Sequence, residues 1–463
     1  MATFYQRKCI LFVGIFLFIG ALPAVSQKIF GLQTLIDASK NYLPSLKQKQ
    51  SLLNAAKANS KDVKHSFLPQ VKLSEQLNLG SDNSLAGSLF TLGVTPSTSG
   101  GVRADNNLQA ATGNIAVAYS EYELVNFGLN ESKLAAAASY INLQQSDLQR
   151  EQYIVSLQVA KLYFNTLKVQ YRLEAERQNV NRYDSIFRVI RALTLSGLKA
   201  GSDSSLAKAE LSKARINYNQ TLGSLNQLKE QLAYYTGIPA VQLNIDSLAD
   251  SFLVHTPLPL KPAPDSLSNP LIDYYTQRKN VFLANENLIR KSYLPKIILA
   301  GSVWARGSSI QYNDTYKSLA NGLGYQRFNY AVGVALTYNL FNGLYKKDKL
   351  AINRYEIEAS DYELQQQKLA LRSAVLQADN ALLTTGNNLD ELPIQLNSAL
   401  DTYRQKLAQY KAGIISLIDL TNASFVLYRS QTDYIETMSD WYLAQLDKAT
   451  ASGNLFSFIQ TIK

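Results

Sequence analysis

The chain has 463 residues, with 46 Lys and Arg against 36 Asp and Glu, two histidines and one cysteine. This length would ordinarily correspond to about three globular domains, yet apolar residues are spread evenly and no linker separates independent blocks. The excess of positive charge is mixed along the predicted helices without a dense basic run. Such mixing is typical of solvated helix faces and disfavours a nucleic-acid partner.

The first 26 residues predict a secretory signal peptide. Basic residues precede an apolar stretch over 10–22, and small residues lie just before Gln27. The alternative is an uncleaved anchor helix, but roughly 20 apolar residues are normally needed to span a bilayer. Because Cys9 lies in this segment, the mature chain has no cysteine for a disulfide or a thiolate metal site.

The rest of the sequence contains two copies of one plan. Pro44 and Pro69 recur as Pro270 and Pro295 with the same spacing. Downstream residues recur 216 positions later: Tyr122, Leu124, Asn126, Lys133, Leu134 and Ala135 match Tyr338, Leu340, Asn342, Lys349, Leu350 and Ala351. A third short repeat is Lys199-Ala200-Gly201, which recurs as Lys411-Ala412-Gly413. These repeats predict equivalent modules over 27–237 and 268–463, joined by a Pro-rich connection over 238–267.

Four segments predict strands, because apolar residues alternate in them with small or polar ones. They cover about 70–80, 113–126, 296–307 and 328–342. A half-buried strand in a soluble sheet would alternate in the same way. The signal peptide and the aromatic residues near the strand ends favour barrel strands with one face toward lipid. Four strands cannot close a barrel, so other copies of the chain must close the edges.

A very long helix is predicted after each strand pair, because apolar residues recur there every seven positions. The heptad residues are Leu134, Ile141, Leu148, Val155, Leu162, Val169, Tyr183 and Ile190, then Leu350, Ile357, Leu364, Leu371 and Ala378. A helix of ~70 residues would be on the order of 100 Å long. A plain coiled-coil rod is the alternative, but it gives no reason for strand pairs at matching points in both halves.

Each long helix is expected to end in a hairpin tip, near 199–203 and 411–415, with Gly201 and Gly413 in the left-handed conformation. Returning helices are expected over about 203–236 and 415–451. Gly386 to Asn388 and Pro393 predict an interruption of the second long helix.

The sequence contains no credible catalytic set, so an enzyme is not predicted. His65 and His255 have no Cys, Asp or Glu at metal-ligand spacing. No phosphate-binding loop, nucleophile elbow or zinc-protease helix is present. No cofactor and no metal are therefore predicted.

The duplicated plan, with the segments Tyr338–Gly343 and Gly413–Ala423, resembles the TolC family of outer-membrane efflux ducts. The fold class is therefore expected to be mainly α with a membrane β-barrel part. The resemblance implies a homotrimer whose twelve strands form one barrel among outer-membrane lipids, continued by an α-helical tunnel through the periplasm. It also implies docking to a periplasmic adaptor protein and to a proton-driven or ATP-driven inner-membrane pump.

In that family the second hairpin carries a tyrosine three residues before its glycine, and aspartates six and nine residues after it narrow the periplasmic entrance. Tyr410 and Asp419 match by position, whereas Asn422 replaces the second aspartate. The first hairpin has Ala207 at the aspartate position, with Asp203 nearer the turn. The resemblance implies a weakened gate formed by Tyr410, Asp419 and Asn422. In the alternative, Asp419 merely caps or solvates the returning helix.

The resemblance also implies that the hairpin tips dock the adaptor; their residues are Lys199, Ala200, Gly201, Lys411, Ala412 and Gly413. The predicted function is a passive exit duct for efflux or type I secretion, exporting small molecules or proteins. A non-conducting coiled-coil scaffold or adhesin of the envelope is the alternative.

Overall fold

The computed structural model describes residues 29–86, 99–245 and 269–462 and is mainly helical. The predicted signal peptide and most of the predicted Pro-rich connection lie outside the described residues. Within the described residues, no helix has both the length and the apolar character needed to cross a membrane.

Helices and strands follow the same order in both halves of the chain. The helices are α1 (Leu32–Tyr42), α2 (Pro44–His65), α3 (Leu129–Leu195), α4 (Gly201–Thr236), α5 (Pro270–Ser292), α6 (Asn342–Lys411), α7 (Leu417–Ala451) and α8 (Leu455–Thr461). The strands are β1 (Ile29–Phe30), β2 (Gln70–Gly80), β3 (Ser84–Ala86), β4 (Ser99–Val102), β5 (Ala111–Val125), β6 (Asn244–Ile245), β7 (Lys296–Ser308) and β8 (Arg327–Thr337). Each half therefore runs helix, strand, loop, strand, very long helix and returning helix, as the repeat predicts.

Contacts divide the chain into two units. One comprises Ser51–Gln145 and Tyr275–Glu363, and it contains a four-stranded antiparallel sheet in the order β2-β5-β7-β8. The predicted strands thus form one sheet, in which each half supplies an adjacent pair. β2 and β8 lie at its two edges.

The faces of this sheet differ from the uniform apolar face that the alternation suggested. Residues paired across antiparallel strands point to the same face. Leu73 of β2 pairs with Ala118 of β5, whereas Ser74 pairs with Val117. The apolar positions of β2 and the small positions of β5 therefore share one face, and Val117 lies on the other. Single-strand alternation could not reveal this, because register is a property of the pairing.

The second unit comprises Met1–Gln50, Ser146–Tyr274 and Leu364–Lys463. Its core lies between α3 and α7, where the ring of Phe164 stacks on Tyr442 with centroids 5.5 Å apart. The buried hydroxyl of Tyr153 donates to the carbonyl of Thr450 at 2.7 Å. Every predicted heptad residue is buried or half-buried, so the seven-residue repeat does mark the packed side of both long helices.

The predicted interruption of the second long helix is wrong. α6 runs without a break through Gly386 to Asn388 and contains Pro393. Leu389 and Leu392 are buried on this stretch, whereas Pro393 itself is exposed. Proline removes one helical hydrogen bond, and on an exposed face water can satisfy the freed carbonyl. Packing of the adjacent leucines therefore outweighs the low helix propensity.

Candidate functional site

At the second hairpin tip, five residues separate the end of α6 from the start of α7. α6 ends at Lys411, and Gly413 follows with a φ of 75°. Ile414 donates its backbone N–H to the carbonyl of Gln409 at 2.9 Å, which satisfies one of the last carbonyls of the helix. The left-handed conformation predicted for Gly413 is present, because a side chain at this φ would be strained.

Asp419 fixes the start of the returning helix. Its backbone N–H donates to the Ser416 hydroxyl at 3.3 Å, and its carboxylate accepts from the backbone N–H of Ser416 at 3.1 Å. The two residues therefore form a capping box. Hydrogen bonds from the Ser416 side chain and backbone lower the pKa of Asp419. The carboxylate is exposed, so it both caps α7 and presents negative charge to solvent.

The first hairpin tip differs from the prediction. α3 ends at Leu195, and the left-handed residue is Gly197, with a φ of 75°. Leu198 donates its backbone N–H to Leu193 at 2.9 Å, as Ile414 does in the second hairpin. Gly201 is instead the first residue of α4. The Lys-Ala-Gly repeat is therefore not a structural equivalence.

The two tips match when the 216-residue repeat is applied to them. Gly197 corresponds to Gly413, and the N-cap residue Ala200 corresponds to the N-cap residue Ser416. Asp203 is then the counterpart of Asp419, six residues after the left-handed glycine in each hairpin. Alignment on Lys-Ala-Gly concealed this residue and placed Ala207 at the position instead. The 216-residue spacing found upstream was the signal that would have identified it.

This equivalence predicts opposite effects for two glycine substitutions. Gly197→Ala is expected to destabilise the protein by about 1 kcal/mol, because alanine is strained at positive φ. Gly201→Ala is expected to be neutral or slightly stabilising, because the site is helical and open. Thermal midpoints of the two purified variants would test this. A larger loss for Gly201→Ala would contradict the alignment of the tips.

Tyr410 connects the two hairpins at their tips. It is buried in a cluster that includes Ile190 and Leu211 of the first hairpin and Leu420 of the second. The ammonium group of Lys199 lies 5.5 Å from its ring centroid. Burial, and then the charge of Asp203, raises the pKa of Tyr410. The structure thus brings Tyr410, Lys199 and Asp203 together.

The other predicted site residues lie on the surface of the tips. Asn422 is exposed, one turn after Asp419 in α7. Exposed or half-exposed positions at the tips are Lys199, Ala200, Gly201, Lys411, Ala412 and Gly413. Within the described chain, no group of three or more His, Cys, Asp or Glu residues is placed to hold a metal ion.

A buried polar cluster between α3 and α7 was missed by the sequence analysis. Glu176 is fully buried, and the Tyr428 hydroxyl donates to its Oε1 at 2.5 Å. Burial and this bond raise the pKa of Tyr428 to about 12. The Nε of Arg172 lies 3.9 Å from the same oxygen. Glu176 occupies the heptad position between Val169 and Tyr183. A charged residue at a position that is otherwise apolar was the only signal of this cluster in the sequence.

Arg182 extends this cluster by one helical turn. Its guanidinium donates to Asn179 at 3.2 Å and to Gln431 of α7 at 3.3 Å. Burial lowers the pKa of Arg182. The two hairpins are therefore held together by directional polar contacts as well as by apolar packing.

Comparison with known proteins identifies the family to which this architecture belongs. The model of the family described as "Outer membrane efflux protein" matches residues 35–238 and 267–454, one block in each repeat. The chain is 21% identical over 440 residues to the outer membrane protein TolC of Escherichia coli strain K12, covering 92% of this chain and 86% of TolC.

Solved outer-membrane channels share the fold. The Campylobacter jejuni CmeC outer membrane channel superposes with a TM-score of 0.73 at 15% identity, over 92% of this chain and 86% of that one. VceC of Vibrio cholerae superposes with a TM-score of 0.72 at 14% identity, over 91% and 96%. This chain therefore belongs to the outer membrane efflux protein family and is a channel protein of the outer membrane that extends into the periplasm, not an enzyme.

Proposed function

We propose that three copies of this chain form the passive exit duct of a tripartite efflux or type I secretion system. The observation that carries the proposal is the four-stranded sheet with two open edges. β2 and β8 are each 11 residues long and largely exposed. An open edge is a template for pairing with another chain, and joining β8 of one copy to β2 of the next would remove every edge. Three copies would supply twelve strands.

The duct would carry small molecules or proteins outward without its own energy source. A periplasmic adaptor and a proton-driven or ATP-driven inner-membrane pump would complete the assembly. We further propose that the mature chain begins at Gln27 and comprises repeats over 27–237 and 268–463. The mass of the protein isolated from outer membranes would test this start.

Single-channel conductance and mass of the detergent-purified protein test the function. A trimer with a small, steady conductance is expected, because a largely closed tip would limit ion flow. A folded protein that never conducts, or that is monomeric, would favour the alternative of a non-conducting envelope scaffold.

We propose that negative charge at the hairpin tips narrows the periplasmic entrance. Asp419 and its structural counterpart Asp203 would each contribute one carboxylate per copy, with Tyr410 tying the tips together and Asn422 as a neutral neighbour. Rings of carboxylates concentrate cations and set the selectivity of a narrow pore. The capping role of Asp419 is compatible with this proposal, because its side chain is exposed.

The tips also carry matched apolar residues suited to a protein partner. Leu198 and Ile414 are 216 positions apart and are 71% and 72% exposed. Leu195 and Ile418 are also exposed at these tips, and exposed apolar side chains that cluster mark protein interaction sites. The adjoining residues are those from which adaptor docking was predicted, Lys199 to Gly201 and Lys411 to Gly413.

A photo-cross-linking amino acid placed at position 198 or 414 in the native host is expected to capture a periplasmic adaptor. The same group at Val241, which is 99% exposed and lies outside the tips, is the matched control. Capture of the same adaptor from position 241, or its absence from both tip positions, would contradict docking at the tips.

A further inference from the structure

One end of the four-stranded sheet, perpendicular to its strands, carries a belt of aromatic and basic side chains. Because the strands are antiparallel, β2 and β7 begin at this end, and β5 and β8 finish there. The helices α2 and α5 therefore end beside it, and α3 and α6 begin beside it. The Asn342 amide donates to the carbonyl of Tyr293 at 3.1 Å, and the Lys133 ammonium lies 5.8 Å from the Phe67 ring centroid.

Exposed aromatic side chains lie at this end of the sheet in both halves of the unit. They are Tyr122, Phe127, Tyr338, Phe341 and Tyr345. Aromatic residues concentrate at the level of lipid headgroups, because one part of the ring is apolar and another is polar. The aromatic residues therefore mark the depth at which the sheet leaves the hydrocarbon.

Basic residues lie at the same level and exceed the acidic ones. Lys64, Lys291, Lys346, Lys347 and Lys349 are exposed or half-exposed and form no ion pair in the described part of the chain. Arg290 and Lys296 are already paired with Glu286 and Glu123, at 2.5 and 2.7 Å. The remaining acids here are Asp62, Glu121, Glu131 and Asp348. At the opposite end of the sheet Arg103 pairs with Asp314, whereas Arg306, Lys317 and Arg327 form no ion pair among the described residues.

We propose that this belt binds the anionic headgroups of phospholipids in the inner leaflet of the outer membrane. Because the chain is an outer-membrane channel protein that extends into the periplasm, and α3 and α6 begin at this end of the sheet, this end would meet that leaflet. The three lysines at 346, 347 and 349 lie within two turns of the start of α6, close enough for several ammonium groups to meet neighbouring phosphates. The proposal depends on the location of the chain and not on conduction, so either can fail alone.

Retention of phosphatidylglycerol by the purified full chain tests the proposal, with phosphatidylcholine as the neutral comparison. Native mass spectrometry would count the lipids that remain bound. A preference for phosphatidylglycerol is expected. In the variant Lys346→Gln, Lys347→Gln, Lys349→Gln this preference should fall about tenfold. Each lysine near an anionic surface contributes about fivefold to lipid affinity without salt, and screening reduces the combined effect of the three.

The control variant Lys208→Gln, Lys213→Gln, Lys229→Gln makes the same charge change on α4, away from the belt, and should retain the preference. Equal retention of the two lipids by the unmodified protein would overturn the proposal. So would an unchanged preference in the belt variant. Raising the salt concentration about tenfold should weaken the preference of the unmodified protein, and a salt-independent preference would also contradict binding through lysine.

Discussion

Replacing Tyr428 with phenylalanine is expected to lower the free energy of unfolding by about 2 kcal/mol, because the Glu176 carboxylate would lose its shortest hydrogen bond in a buried site. Oε2 of Glu176 is buried and already has no hydrogen-bond partner among the described residues. The Nε of Arg172, 3.9 Å from Oε1, is too distant to replace the hydroxyl. Apparent thermal midpoints of the purified protein in one detergent would measure the loss.

A double-mutant cycle separates this interaction from simple loss of packing. Glu176→Leu alone leaves the Tyr428 hydroxyl unpaired, whereas the double variant Glu176→Leu, Tyr428→Phe removes both polar partners. Most of the stability lost in Tyr428→Phe is expected to return in the double variant. If the two single effects simply add, the hydrogen bond does not couple α3 to α7.

Tyr428 also makes the free energy of unfolding depend on pH in the alkaline range. The pKa of Tyr428 is about 12 in the folded protein, against about 10 in an unfolded chain. As the pH rises, the unfolded state therefore loses the Tyr428 proton before the folded state does. The stability that the Tyr428 hydroxyl contributes is complete below about pH 10 and is lost as the pH rises toward about 12. The Tyr428→Phe variant should show a shallower loss of stability across this window. An identical alkaline profile in both proteins would contradict the raised pKa.

Removing the charge of Asp203 and Asp419 together is expected to weaken block of the channel by multivalent cations about tenfold or more, because a ring of carboxylates holds such cations by concentrated negative charge. Asp419→Asn alone should give part of this effect, since the counterpart Asp203 remains. Single-channel recordings over a range of trivalent-cation concentrations would measure the block. Unchanged block in the double variant Asp203→Asn, Asp419→Asn would exclude the gate.

Matched variants distinguish charge from capping at this position. Asn is also a good capping residue, so Asp419→Asn removes the charge while largely preserving the start of α7. Ser416→Ala removes the other half of the capping box and keeps the carboxylate. If Ser416→Ala changes cation block as strongly as Asp419→Asn does, the effect comes from helix capping. If only Asp419→Asn changes block, the effect comes from charge.

The sequence by itself determined the duplicated plan, the strand pairs and the long heptad helices. These features depend on local periodicity and on spacing along the chain, which a single sequence contains in full. The heptad residues of both halves are buried or half-buried in the structure, and the strands of each half pair with one another in one sheet. The predicted break at Pro393 failed because propensity was weighed without the leucines that pack beside it.

Only the tertiary structure decided which residues meet. Register across β2 and β5 placed apolar and small residues on a shared face, and turn geometry made Gly197, rather than Gly201, the counterpart of Gly413. That change of partner brought Asp203 into the candidate site. The Glu176–Tyr428 contact joins residues 252 positions apart. Such pairs depend on how helices pack in three dimensions, and a repeat in one strand or helix contains no information about the element against which it lies.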